Sequence, residues 1–197
     1  MSAITATQVK ELRDKTSASM AECKKALEEA CGDVNKASDC LRRRGLALAE
    51  KKMDKAVSQG RIGSYIHSNG KVGVMLELAC ETDFVAKNDD FQALLKDLCL
   101  HITAMSPLVI SKEQLDAQMI EQEKEFYRKE LKDKPPQMVD KIVEGKIEKF
   151  FYAQKCLLDQ PFVKDDKMKV GDLIKNHIAK FGENIVVKRF QRFEIGK

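Results

Sequence analysis

The chain has 197 residues, 43% apolar and 34% charged, and its 35 Lys+Arg against 31 Asp+Glu leave a net charge of +4. That balance excludes wholesale disorder. The lack of any apolar run near the roughly 20 residues of a bilayer span excludes a helical membrane protein, and so small a cationic excess gives no ground for nucleic-acid binding. Met1–Thr5 lacks a basic stretch followed by an apolar run, which predicts a protein without a signal peptide. Six cysteines, at positions 23, 31, 40, 80, 99 and 156, include no C-x-x-C pair. They read as reduced, mostly buried thiols of a cytosolic protein. His67, His101 and His177 are too dispersed to suggest a metal site, and no cofactor motif is present.

Residues 1 to about 53 read as three short helices. Gln8–Leu12 starts an amphipathic pattern, interrupted near Thr16–Ala18. Ser19 and Glu22 form an S-x-x-E capping box, with Met20, Cys23 and Leu27 following on one helical face. Gly32 is placed to stop this helix and Asp33 to cap the next. Val34, Ala37 and Leu41 carry that helix until Arg42-Arg43-Arg44-Gly45, where the pattern predicts its end. Three cations in a last turn suit the helix dipole, and a phosphate-binding role for them is the weaker alternative. Lys51–Gln59 is a polar connector that either continues a helix or links domains.

The hydrophobic period then changes. Arg61–His67 and Val72–Leu78 flank Ser68-Asn69-Gly70, a turn sequence tolerant of positive φ. Val72, Val74, Leu76 and Leu78 alternate as one face of a strand. Phe91, Leu94, Leu95, Leu98 and Ile102 form the apolar stripe of a helix from about Asp89. Ser111 and Gln114 make a second capping box for a charged helix running toward Lys134. Pro135-Pro136 breaks it, and Met138–Phe151 resumes helical spacing, so a helical hairpin is expected. A short helix from Val170 to Phe181 stops at Gly182. A last strand, 185–194, carries apolar residues on both faces and is expected to join the first hairpin. Strands bracketing helices give an α+β class: an N-terminal three-helix domain over 1–54 and an α+β core over 55–197.

No phosphate-binding loop, nucleophile elbow or zinc-protease motif occurs, so the chain does not read as an enzyme. One segment is odd. Cys80-Glu81-Thr82-Asp83-Phe84-Val85-Ala86-Lys87-Asn88 joins a strand to a helix, yet it is not uniformly polar. Either Phe84 folds back as a staple for the next helix, or it is a presented aromatic wedge beside a charge.

Here the sequence resembles the elongation factor Ts family, nucleotide exchange factors of the bacterial-type GTPase elongation factor Tu. Val9–Thr16 and Met20–Leu27 are similar to the family's N-terminal signature, and Thr82-Asp83-Phe84-Val85-Ala86-Lys87 to its most diagnostic motif. Gln160-Pro161-Phe162-Val163, Gly182-Glu183-Asn184-Ile185 and Arg192-Phe193-Glu194 match later motifs. The resemblance implies a ubiquitin-associated-like helical domain before a core of antiparallel sheet and helices. It implies that Thr82, Asp83, Phe84 and Val85 engage the GTPase, with Phe84 inserted between two of its helices so that the magnesium site is disturbed. It also implies that Met20, Cys23 and Lys24 dock on the nucleotide domain, and that His67 matches a histidine that perturbs the phosphate-binding loop. Longer relatives carry two core modules and a coiled-coil insertion. This chain has one, so a homodimer is expected to rebuild the pair, with His67 of a second copy facing the GTPase that receives Phe84. A ubiquitin-associated-like adaptor leaves Thr82–Val85 unexplained, and the nearly balanced charge argues against an RNA-associated protein using Arg42–Arg44. The resemblance thus implies a cytoplasmic bacterial translation factor without direct nucleic-acid or membrane contact.

Overall fold

Three helices open the chain, each beginning where a side chain can accept the free N–H groups of a first turn. The computed structural model describes residues 4–16, 18–131 and 135–196. The helices are α1 (Ala6–Thr16), α2 (Met20–Glu29) and α3 (Val34–Lys52). The Ser19 hydroxyl accepts from the Glu22 N–H, and the Asp33 carboxylate accepts from the N–H groups of Asn35 and Lys36. Those backbone donors hold the Asp33 carboxyl below its ordinary pKa. Gly32 lies between the two helices at φ +86°, and its N–H closes on the Leu27 carbonyl at 2.8 Å. Val9, Leu12, Cys23, Ala26, Leu27, Ala37 and Leu41 form the buried core of the three.

Helix α3 does not end at Gly45, as the spacing predicts; it runs through to Lys52. The glycine has another use. A β-carbon there would lie 2.9 Å from the Ala179 β-carbon, so Gly45 permits a close helix approach and is not a stop. The three arginines are therefore mid-helix. Arg44 ion-pairs with Glu29 across the α2–α3 contact, which lowers the Glu29 pKa.

The chain forms two compact units. One comprises Met1–Gly60, Ala79–Lys87 and Ile174–Val186; the other comprises Arg61–Leu78, Asn88–Leu173 and Val187–Lys197. Strands β1 (Gln59–Ile66) and β2 (Val72–Cys80) form the expected hairpin, with Gly70 alone in its turn at positive φ. Helices α4 (Asp83–Lys87) and α5 (Asp89–Met105) follow, the second capped by Asn88 and burying Phe91, Leu94, Leu95, Leu98 and Ile102. A β-carbon at Gly63 would sit 2.6 Å from Leu95, so this glycine lets α5 lie close on the inner face of β1.

The second capping box is corrected. Ser111 caps nothing; residues 112–114 make one 3-10 turn, and the Gln114 side chain accepts from the Ile110 N–H instead. The chain extends again at Leu115, which is buried. Asp116 then caps α6 (Ala117–Glu130). The helix ends at Glu130, with Leu131 in a turn, short of the expected run toward Lys134; residues 132–134 lie outside the described residues. Helix α7 (Pro136–Lys146) returns against α6, held by Arg128–Asp140 and Lys146–Glu130 ion pairs over a core of Leu115, Val143, Ile147, Phe151 and Cys156. A π-helical turn over Ile147–Phe151 leads into α8 (Tyr152–Lys155) and buries Ile147 and Phe151 while Phe150 is exposed.

Strands β3 (Pro161–Phe162) and β4 (Asp165–Lys169) make a small antiparallel hairpin that the sequence pattern did not signal. Helix α9 (Val170–Phe181) ends at Gly182, φ +69°, and β5 (Ile185–Glu194) pairs with β2 to complete a sheet of order β1-β2-β5. The fold is α+β with a small antiparallel sheet. One face of β5 is buried only at its start. Ile185 and Val187 are buried, but Arg189, Gln191 and Phe193 on the same alternation are exposed.

Beside the β3–β4 hairpin lies a buried polar cluster. The Val163 N–H donates to His101 Nδ1 at 3.2 Å, so the ring proton is on Nε2, which donates to Gln160 Oε1 at 2.9 Å. The Gln160 amide in turn donates to the Gln154 carbonyl at 2.8 Å. Burial draws the His101 pKa below its ordinary value, against a smaller opposing pull from Gln160. The neutral ring is the folded form, so its stabilisation is complete above the unfolded pKa of about 6.5 and is lost as pH falls below that toward the lower folded value. Thermal melts between about pH 7.5 and about pH 5.5 are expected to show a larger stability loss for the natural protein than for His101→Gln.

Candidate functional site

Cys80–Lys87 of the odd segment fold as a short helical turn on a fixed base, within the first unit. Strand β2 ends at Cys80, whose buried thiol donates to the Thr82 carbonyl at 3.1 Å. Burial pushes that thiol's pKa up, and the Glu183 carboxylate adds to the effect. Thr82 then serves as the cap of α4. Its hydroxyl accepts from the Val85 N–H at 3.4 Å, and its carbonyl accepts from the Ala86 N–H at 3.3 Å. Val85 and Ala86 are buried. Phe84 is 83% exposed. The staple reading of Phe84 is therefore corrected. On so short a helix the buried side belongs to Val85 and Ala86, and the ring projects from the other. Beside it, Asp83 pairs with Lys87 at 2.6 Å, and that ammonium holds the Asp83 carboxyl below its usual range.

The base of the turn comes from far along the chain. Gly182 reverses the backbone after α9 and presents Glu183. One carboxylate oxygen accepts the Thr82 N–H at 3.0 Å and the other accepts the Thr82 hydroxyl at 2.7 Å. The Asn184 N–H donates to Glu81 at 2.7 Å, and its side-chain amide donates to the carbonyls of Met53 and Lys55 at 2.9 and 2.8 Å. Lys52 approaches Glu81 at 3.8 Å. The exit of α3, the approach to Phe84 and the 182–184 turn thus share one hydrogen-bonded joint. Sequence reasoning treated Gly182–Ile185 as a motif of its own and assigned Glu81, Glu183 and Asn184 no role. The signal available was two short polar stretches, Glu81-Thr82-Asp83 and Glu183-Asn184, with nothing to pair them.

Met20, 46% exposed, and Lys24 lie on the surface of α2 in this unit. Cys23 is fully buried in the helical core and offers a partner no surface, which corrects its expected docking role: the face it shares with Leu27 packs on α1 and α3. A groove of about 730 Å³ in the same unit is lined by Leu41, Leu48 and Phe181 and by the cations Lys15, Arg42 and Lys51. His67 belongs to the second unit, exposed at the β1–β2 turn, with its ring 6.4 Å from that of Tyr65. Among the described residues no group of His, Cys, Asp and Glu side chains is arranged to hold a metal ion. An exposed ring on a braced turn is chemistry for gripping a protein surface.

The family model for elongation factor TS matches residues 2–197. Elongation factor Ts of Thermodesulfovibrio yellowstonii is 56% identical over 196 residues, covering 99% of this chain and 98% of that protein. Elongation factor Ts of Oleidesulfovibrio alaskensis is 54% identical, covering 100% of both chains. Elongation factor Ts of Thermotoga maritima is 52% identical over 189 residues, covering 96% of this chain and 94% of that protein.

Proposed function

The chain belongs to the elongation factor Ts family of translation elongation factors, and from that premise we propose that it is the guanine-nucleotide exchange factor of elongation factor Tu. It binds the GDP-bound GTPase, disturbs the magnesium and phosphate site, and promotes GDP release so that GTP can enter. The observation that carries this reading is Phe84, exposed on a turn clamped at Thr82. Phe84 enters between two helices of the GTPase with Asp83 beside it, and Thr82 and Val85 fix the approach. The helices that part no longer hold the magnesium ion, and the diphosphate loses its strongest electrostatic anchor. No bond is made or broken in this protein, so it is not an enzyme in the covalent sense. Linkage requires reciprocity: by the factor with which it weakens GDP binding, GDP weakens its own binding.

Residues 1–54 act as a ubiquitin-associated-like docking domain through Met20 and Lys24, and 55–197 as the core. The reading places the protein in the bacterial cytoplasm. Among the described residues no helix is long and apolar enough to cross a membrane.

The core works as a homodimer, and the open face of the sheet supports this. The Ile195 N–H bonds to the Lys71 carbonyl at 2.9 Å and the His67 N–H to the Val72 carbonyl at 2.9 Å, which sets Phe193, Gly73 and Ile66 in one cross-strand row. Met75 lies in the next row, and the Arg189–Glu77 pair in the row after, beside Ile62. Ile62, Ile66, Met75, Phe193 and Ile195 are all exposed on this face. A second copy of the same face is the occupant proposed for it, since a two-fold contact joins identical patches. His67, at the end of this hairpin, then acts on the GTPase that receives the partner's wedge.

The test is release of labelled GDP from elongation factor Tu. A dose-dependent acceleration is expected, and an unchanged release rate at saturating protein rejects the reading.

A further inference from the structure

We propose that Glu183 is a positioning residue for exchange: it sets the direction in which Phe84 projects before any partner arrives. This rests on the wedge reading above and adds the group that governs it. Helix α4 has five residues, too few to hold its own orientation in water. Its buried anchors, Val85 and Ala86, are small, and Phe84 contributes nothing to packing because it is exposed. What fixes the first turn is the Thr82 cap, and the Thr82 hydroxyl has a choice of rotation. By donating to Glu183 at 2.7 Å it must turn a lone pair elsewhere, and that lone pair accepts the Val85 N–H. The second carboxylate oxygen, on the Thr82 N–H, removes the remaining freedom of the backbone there. Two charge-assisted bonds from one carboxylate therefore select one conformer of the turn. The same short stretch, through Asn184, ties to the carbonyls of Met53 and Lys55 at the exit of α3. Residues 182–184 thus brace the wedge against the helical domain.

A wedge that populates its competent direction only part of the time binds with an affinity reduced by that fraction, while the bound complex is unchanged. Replacing Glu183 by Gln puts an NH2 group where one of two donors needs an acceptor. GDP release measured against increasing Glu183→Gln protein is expected to need about tenfold more protein for half-maximal effect, with the rate at saturation preserved. Thr82→Val lacks the hydroxyl and should resemble Glu183→Gln. A double-mutant comparison separates positioning from general stability. In a Phe84→Ala background there is no ring to direct, so Glu183→Gln should cost nothing further. An equal fold-loss in both backgrounds, or natural half-maximal concentration in Glu183→Gln, overturns the proposal. Failure of the wedge reading itself shows separately, as unimpaired exchange by Phe84→Ala alone.

Discussion

Phe84→Ala is expected to lower GDP release from elongation factor Tu by one to two decades at fixed subsaturating protein, with the melting temperature nearly unchanged. Burying a phenylalanine is worth roughly 1.5–3 kcal/mol, and each 1.4 kcal/mol or so is tenfold in an equilibrium. The ring is 83% exposed in the free protein, so that energy is unspent until a partner covers it. For the same reason its removal costs the fold little, since substitutions away from packed or bonded groups fall within about 0.5 kcal/mol. Parallel measurement of exchange and thermal unfolding checks both halves. Retained exchange would remove Phe84 from the mechanism, and a large fall in melting temperature would return it to a structural role. Complete loss of exchange is not expected, because the docking proposed for Met20 and Lys24 remains.

The second large effect concerns the open sheet face. Phe193→Asp is expected to convert the proposed dimer to a monomer at micromolar concentration, read by light scattering or sedimentation. Phe193 is 59% exposed and Ile66, in the same cross-strand row, is 72% exposed, so neither supports the single chain. In a two-fold contact each substitution enters twice, and a carboxylate buried without a partner costs several kcal/mol. Phe193→Tyr, which keeps the ring, should retain the dimer. A natural protein that sediments as a monomer at these concentrations rejects the homodimer outright. If the dimer rebuilds the second half of the core, exchange by Phe193→Asp falls along with the association.

What was legible in the sequence follows from how local each signal is. Ser19, Asp33 and Asn88 announced or permitted helix starts because a cap acts on N–H groups two or three residues away. The stripe of Phe91 to Ile102 and the alternation of Val72 to Leu78 are likewise local periodicities. Gly45 misled because a glycine in a helical pattern has two uses, a stop or a close approach. Only the distant Ala179 decides between them. Ser111 and Gln114 misled because the spacing of a capping box says nothing of a buried Leu115 pulling the chain out of helical geometry. At the site, the ring was visible and its exposure was not. Exposure depended on which of Phe84, Val85 and Ala86 the rest of the unit buries. The Glu183 clamp was invisible for a simpler reason: no one-dimensional pattern links a threonine to a glutamate so far away.

That separation bears on the order of synthesis. Thr82 and Glu183 are 101 positions apart, and chains grow at roughly 5–20 residues per second. For roughly 5–20 s, then, a ribosome has made the wedge but not the residue that aims it. If the proposed wedge is right, a chain stopped short of Glu183 is expected to present Phe84 on a slack loop and to compete poorly for the GTPase. On the proposed function, only a molecule translated past Glu183 can assist the machinery that translated it.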